Sequence, residues 1–337
     1  MDEATAGDLL AFAKDLAPRL TGPAADISLA TLEARYDEMV AAIDWFVDAD
    51  RPDEALNTAH AMYRFWIMRS RFDDGAAVYE RVLASGDGDP VLRGFALLDA
   101  GFMPFWTGDD ERAEALFSDA LAVGRRIGDA ALTSQALGGL ARVALRTDVA
   151  EARRIAHEAL DVSVAEDDEA GRSNALHLLG VGAQIAGDLP EARGWMTERL
   201  ALVRRQGNEF LIASEAGNLS MVERQLGDLD AAEALAREAL EIARRIGDRF
   251  TPPFLFSGLA AIAVERGDLE RAAMLIGAAE AHMEAVNMAW PPDERPHYEQ
   301  TLAALADRLP PDELAVARGR GASLSEQAAI DFALGRA

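Results

Sequence analysis

Gly227-Asp228-Leu229-Asp230-Ala231-Ala232-Glu233-Ala234-Leu235-Ala236-Arg237-Glu238-Ala239-Leu240-Glu241-Ile242-Ala243-Arg244-Arg245-Ile246-Gly247-Asp248 begins and ends on the same doublet, twenty residues apart. Between the doublets Leu229, Ala232, Leu235, Ala236, Ala239, Leu240 and Ile242 recur at helical spacing and make one apolar face. Glycine ends a helix by taking the left-handed conformation without a Cβ penalty. The aspartate beside it caps the free amides of the helix that follows. Arg244 and Arg245, in the last turn, complement the carbonyl end of the helix dipole. The stretch reads as one helix held between two turns.

The same punctuation extends along the chain. Gly-Asp returns at Gly108-Asp109, Gly187-Asp188 and Gly267-Asp268, and the step from 187 to 227 to 267 is forty residues each time. Thr147-Asp148 stands where another member is due, one residue short. Midway between lie Gly128-Asp129, Asp167-Asp168, Gly207-Asn208, Gly247-Asp248 and Asn287, while Asp50 and Ser70 hold the corresponding places in looser copies. A turn every twenty residues predicts tandem helix-turn-helix repeats with helices near sixteen residues, roughly 24 Å long at 1.5 Å per residue.

The residues inside the helices agree. Five positions after the first residue of each main doublet, Thr147 included, comes an alanine, at Ala113, Ala152, Ala192, Ala232 and Ala272. A small side chain there lets two helix backbones approach closely, and the tetratricopeptide pattern puts alanine at that place. A larger residue follows as Phe117, Met196 and Ile276, and then a second alanine as Ala120, Ala159, Ala239 and Ala279, with Arg199 as a departure. In Asp188-Leu189-Pro190-Glu191 the glutamate stands where a capping box would put it. The fold class predicted is all-α, a right-handed α-solenoid of tetratricopeptide-like repeats with a period of about forty residues. Its expected division is 1–88, looser and aromatic-rich; 89–288, the regular repeats; and 289–337, a helical cap.

Composition narrows the function. Half of the 337 residues are apolar and only 7% are aromatic, which suits close-packed helices. The formal charge of −25, from 33 basic and 58 acidic side chains, repels phosphate backbones and anionic membrane surfaces. Direct nucleic-acid or membrane binding is therefore not expected. No run of about twenty apolar residues is present and no signal peptide is readable, so the expected location is the cytoplasm. Without cysteine there is no disulfide, thiolate metal site or cysteine nucleophile.

Catalytic motifs are missing. No Gly-x-x-x-x-Gly-Lys-Ser/Thr loop, Gly-x-Ser-x-Gly elbow or His-Glu-x-x-His helix occurs. The five histidines, His60, His157, His177, His282 and His297, show no metal-ligand spacing, and Asp87-Gly88-Asp89 lacks the other ligands of a calcium loop. No catalytic residue, metal or cofactor is assigned.

Two groups of residues are candidates for binding. In repeat register Asn174, His177 and Gln184 fall on one face of a first-type helix, and Ser214, Asn218, Arg224 and Gln225 fall on or near the same wall in the next repeat. Hydrogen-bonding tips along a groove suit ligand or peptide recognition, although a merely wet surface has the same look. Trp66, Phe102, Phe105 and Trp106, near Tyr63 and Phe65, could form an aromatic pocket with Met68 and Met103, or a thick amino-terminal core. Pro104 predicts a kink or an early end in the helix that carries three of them.

Two flanking segments carry a resemblance. Leu32 to Trp45 followed by Tyr63-Arg64-Phe65-Trp66, and at the other end Leu275-Ile276-Gly277-Ala278-Ala279-Glu280, Pro291-Pro292, Arg295, Tyr298-Glu299 and Gly321 to Leu334, resemble the tetratricopeptide-repeat region of large STAND-type ATPase transcriptional regulators, the LuxR-family and related actinobacterial kinds. The resemblance covers the repeat half of that architecture and neither the ATPase nor the DNA-binding domain. It implies a sensor or arm that receives a protein, a peptide or a small-molecule effector in its groove, in transcriptional regulation or signalling. The alternatives are a sensor fragment of an ATP-dependent regulator, and a small-molecule carrier or unusual enzyme using the aromatic pocket.

Overall fold

The computed structural model describes residues 1–20, 25–86, 88–291 and 294–336. Asp87 of the Asp-Gly-Asp linker and Pro292 of the carboxyl-terminal resemblance lie outside the described residues. Every element among them is helical, and packing divides the chain into two compact units, Met1–Gly182 and Ala183–Ala337. The expected division at 88 and 288 follows repeat regularity; the division by packing falls inside a helix of the regular array.

The first unit contains α1 (Glu3–Leu16), α2 (Ala25–Ala34), α3 (Tyr36–Asp48), α4 (Pro52–Met68), α5 (Phe72–Ala84), α6 (Pro90–Thr107), α7 (Asp110–Ile127), α8 (Ala130–Ala144), α9 (Val149–Ala165) and most of α10 (Glu169–Ile185). From α4 onward the helices alternate. First helices α4, α6 and α8 lie side by side, and each packs against the second helix that follows it, α5, α7 or α9. The second unit continues the alternation with α11 (Leu189–Gln206), α12 (Glu209–Gln225), α13 (Leu229–Ile246), α14 (Pro252–Arg266) and α15 (Leu269–Ala285), then ends with α16 (Arg295–Arg308), α17 (Pro311–Ala322) and α18 (Glu326–Ala333). This is the all-α, tetratricopeptide-like class read from the repeat.

The turn chemistry accounts for the boundaries. Gly108, Gly128, Gly187, Gly207, Gly227, Gly247 and Gly267 all have positive φ. Among the described residues the non-glycine residues with positive φ are Asp50, Ser70, Asp167 and Asn287, each standing where the twenty-residue register has no glycine. Asp109, Asp129, Asp148, Asp188, Asn208, Asp228 and Asp268 each cap the next helix by accepting from the backbone amide three residues on. The capping box expected at Glu191 is answered differently. The Asp188 N–H donates to the Ala183 carbonyl, closing the Schellman-type end of α10, while Glu191 accepts from the Trp195 indole at 3.2 Å.

Small residues set the helix spacing as expected. Ala113, Ala152, Ala192, Ala232 and Ala272 are fully buried or within 1% of it, as are Phe117, Met196 and Ile276. Pro104 lies in the last turn of α6, which runs on to Thr107 and closes at Gly108. At the carboxyl end α17 takes the place against α15 that a further repeat would occupy. A Cβ at Gly277 would overlap the Arg318 carbonyl, and one at Gly321 the Met274 carbonyl, so these two helices cross backbone to backbone. Glu280 of α15 then accepts a bidentate pair from Arg318 of α17 at 2.7 and 3.1 Å.

Candidate functional site

In the first unit, polar side chains of consecutive first helices meet across the helix layer. Arg142 of α8 donates to Asn174 Oδ1 at 2.9 Å and to His177 Nε2 at 3.1 Å, both on α10. Gly138, one turn before Arg142, leaves room for the Asn174 amide, which a Cβ would overlap. Two repeats earlier, His60 Nδ1 of α4 lies 2.6 Å from Asp99 Oδ2 of α6, and the Tyr79 hydroxyl donates to the same oxygen at 3.1 Å. Asp99 is 3% exposed, yet the His60 side chain is about half exposed at 51%. The buried carboxylate raises the pKa of His60 above its ordinary value by charge and by hydrogen bond.

In the second unit the corresponding face is covered by the chain itself. Gln184 of α10 and Gln225 of α12 pair at 3.3 Å, and both amides approach Nε2 of His297, on α16, at 3.4 and 3.0 Å. His297 is buried, and its Nδ1 makes no hydrogen bond among the described residues. Burial first, and then the Arg224 charge, lower the His297 pKa to about 4. Arg224 pairs with Glu265 of α14 at 2.6 Å, and Arg308 anchors the far end of α16 on the Val264 carbonyl at 2.8 Å.

The candidate wall therefore resolves into local groups. Asn174 and His177 belong to the Arg142 bridge. Gln184, Gln225 and Arg224 stand at or beside His297. Asn218 turns elsewhere, donating at 3.3 Å to Glu215, which forms a buried ion pair with Arg199 of α11. Ser214 is half-buried one residue before Glu215. Arg199 is the residue that breaks the alanine pattern, and Glu215 is its answer.

The aromatic candidates are packed side chains. Trp66 is fully buried, donates its indole N–H to the Tyr36 hydroxyl at 3.3 Å and meets Tyr79 edge-on at 5.5 Å. Phe102 meets Phe117 edge-on at 5.0 Å and tilts against Tyr63 at 6.0 Å. Phe105 is buried against Trp106 at 4.8 Å, with the Arg146 guanidinium over its ring. A second aromatic run, not foreseen from the sequence, links Phe210, Phe250, Phe254, Trp290 and Tyr298 in the second unit, ending in a stacked pair at 4.6 Å.

Sequence reasoning also passed over Arg142, Asp99 and the placement of His60 and His297. For Arg142 a usable signal existed, since partners across first helices are separated by about one repeat, as in Gln184 with Gln225 and Arg224 with Glu265. For His297 there was none, because α16 stands outside the repeat. Among the described residues no group of three or more histidine or acidic side chains is placed to hold a metal ion, and no helix is long and apolar enough to cross a membrane.

Comparison with known proteins agrees with this architecture. Residues 135–289 match the family model of the MalT-like TPR region. No curated protein matches the chain. Among solved structures, the chain is similar to the Rap conjugation gene regulator of plasmid pLS20 in complex with the Phr* peptide, at 11% identity and a TM-score of 0.56, covering 95% of this chain and 98% of that one. It is similar to NprR in complex with its cognate peptide NprX, at 14% identity and a TM-score of 0.55, covering 96% and 90%. It is also similar to a Rap protein complexed with competence and sporulation factor, at 14% identity and a TM-score of 0.55, covering 83% and 88%. At such identities the likeness establishes the fold alone.

Proposed function

We propose that this protein is a non-catalytic interaction or sensor protein that binds a peptide or an extended segment of a protein along the face of its first helices. The observation that carries the reading is the bridge from Arg142 to Asn174 and the buried His177, which orients a guanidinium between consecutive first helices. The likeness to regulators solved with peptides bound supports the same reading. His60 and Asp99 form a dyad, but among the described residues no serine or threonine is hydrogen-bonded to that histidine.

The match of residues 135–289 to the MalT-like region, with the resemblance at both ends of the chain, favours a place in ATP-dependent transcriptional regulation as the setting for that binding. The test is fluorescence polarisation of the purified protein against an array of defined peptides, with circular dichroism as the folding control. Saturable binding that weakens in His177→Ala at unchanged helicity supports the reading. Binding unaffected by this change, or an array without a single binder, overturns it.

A further inference from the structure

Helix α16 is not needed to close the end of the repeat array. That place is taken by α17, which crosses α15 backbone to backbone at Gly277 and Gly321. Inserted between the two in the chain, α16 packs instead on α14 and α15 and sends His297 to Gln184 of α10 and Gln225 of α12. Its grip is thin. It buries three of its fourteen residues, His297, Thr301 and Leu305, whereas α14 buries twelve of fifteen. Of those three only Leu305 is apolar, where a helix held by its core face carries an apolar stripe. The Thr301 hydroxyl bonds within α16, to the His297 carbonyl at 2.8 Å. His297 Nδ1 makes no hydrogen bond among the described residues, and neither does Arg224 Nε beside it. Buried polar atoms without partners oppose the contact that buries them. Two bonds toward the repeats hold the helix down, from Arg308 to the Val264 carbonyl at 2.8 Å and from the Tyr298 hydroxyl to Glu280 at 2.5 Å.

We infer that α16 is a displaceable latch: it covers a strip of first-helix surface in the second unit, and an extended peptide occupies that strip when α16 leaves with the repeats still folded. The inference rests on the peptide-binding reading above and adds to it a second, regulated stretch of surface. The chemistry of the covered strip selects the occupant. Gln184 and Gln225, from consecutive first helices, pair at 3.3 Å and each carries a donor and an acceptor. His297 offers them one ring nitrogen, whereas a peptide backbone offers an N–H and a carbonyl at every residue. A helix with so little apolar burial belongs to the least stable part of a fold, which is where elements that move on binding are found. While α16 is down it competes with the peptide, so apparent affinity is reduced by the fraction of chains that are open.

The experiment follows hydrogen exchange of the whole chain by mass spectrometry at pH 7, beside fluorescence polarisation against the peptide array. Residues 297–308 are expected to exchange roughly tenfold or more faster than α14 and α15, as they must if α16 leaves folded repeats. Tyr298→Phe/Arg308→Ala removes both holding bonds. It is expected to speed exchange in α16 by a further factor of roughly ten to a hundred at unchanged helicity, the scale of two hydrogen bonds. At least one array peptide is expected to bind more tightly by the same factor, because only open chains bind it. Tyr298→Phe alone gives a smaller step in both readouts and serves if the double variant unfolds. Exchange of α16 only together with α14 and α15 overturns the latch. Faster exchange with no gain for any peptide overturns the covered surface and leaves peptide binding on the first unit intact. An array without binders for either protein overturns both readings.

Discussion

Arg199 of α11 and Glu215 of α12 form an ion pair from which water is almost wholly excluded, with side-chain exposures of 4% and 0%. Arg199 occupies the position where the other repeats place alanine, so this crossing is held apart by a charged pair where its equivalents close on a methyl group. Removing one partner strands a buried charge, which costs about 3–5 kcal/mol. Arg199→Ala is expected to lower the urea midpoint accordingly. Arg199→Met/Glu215→Leu is expected to recover most of the loss, because an apolar pair of similar bulk needs no desolvated charge. A double variant as unstable as the single one would contradict this account.

The Ala232→Leu change tests the repeat register. Ala232 is fully buried at the α12–α13 crossing, and its carbonyl accepts from the Ser220 hydroxyl at 2.7 Å. Three added carbons have no space there and force the helices apart, costing about 1–3 kcal/mol. Thermal unfolding followed at 222 nm reads the effect, and an unchanged curve would place the alanine outside the crossing.

His297 makes the second unit sensitive to acid. Folding buries the neutral imidazole and lowers its pKa from 6.5 to about 4, so the unfolded chain binds this proton more readily. The stability from this group is complete above pH 6.5 and is lost as pH falls toward 4, on the order of 2 kcal/mol by pH 5. His297→Asn is expected to flatten that part of the curve. Urea midpoints of both proteins at pH 7 and pH 5 check the difference, which cancels the titration of the many carboxylates they share.

Gly277→Ala is expected to disturb the α15–α17 contact more than its single methyl suggests. The added carbon meets the Arg318 backbone carbonyl, which cannot rotate away as a side chain would. The expected outcome is a loss of about 1–3 kcal/mol and faster tryptic cleavage at Arg318 and Arg320. Native-like resistance to trypsin would show that the helices separate at little cost.

On the proposed wall, Arg224→Ala separates the two units. Arg224 pairs with Glu265 on the face that α16 covers, whereas His177 lies in the first unit. If peptides bind on the first-unit face alone, His177→Ala weakens them and Arg224→Ala does not. Equal loss in both variants would extend the binding surface into the second unit. The peptide array described above makes the comparison.

The amino-acid order by itself determined where the helices begin and end. The signals are local: a glycine or an Asp, Ser or Asn with positive φ closes one helix, and the next residues cap the following one. It also determined which face of each second helix is buried, since Ala113 through Ala272 keep one spacing. Even the departures were informative, with Asp50, Ser70, Asp167 and Asn287 left-handed where the register lacked glycine. What only the tertiary structure decided is who meets whom between repeats. Asn174 and His177 were visible as polar positions, but their partner Arg142 lies on another helix and is chosen by the helix offset. Gln184 and Gln225 were read as an open wall, yet His297 arrives from a helix outside the repeat and covers it. Local capping and periodicity depend on neighbours within one or two turns, so a single sequence displays them. Contacts across stacked helices depend on the rise and rotation between them, which the residue order encodes only through the packing of the whole array.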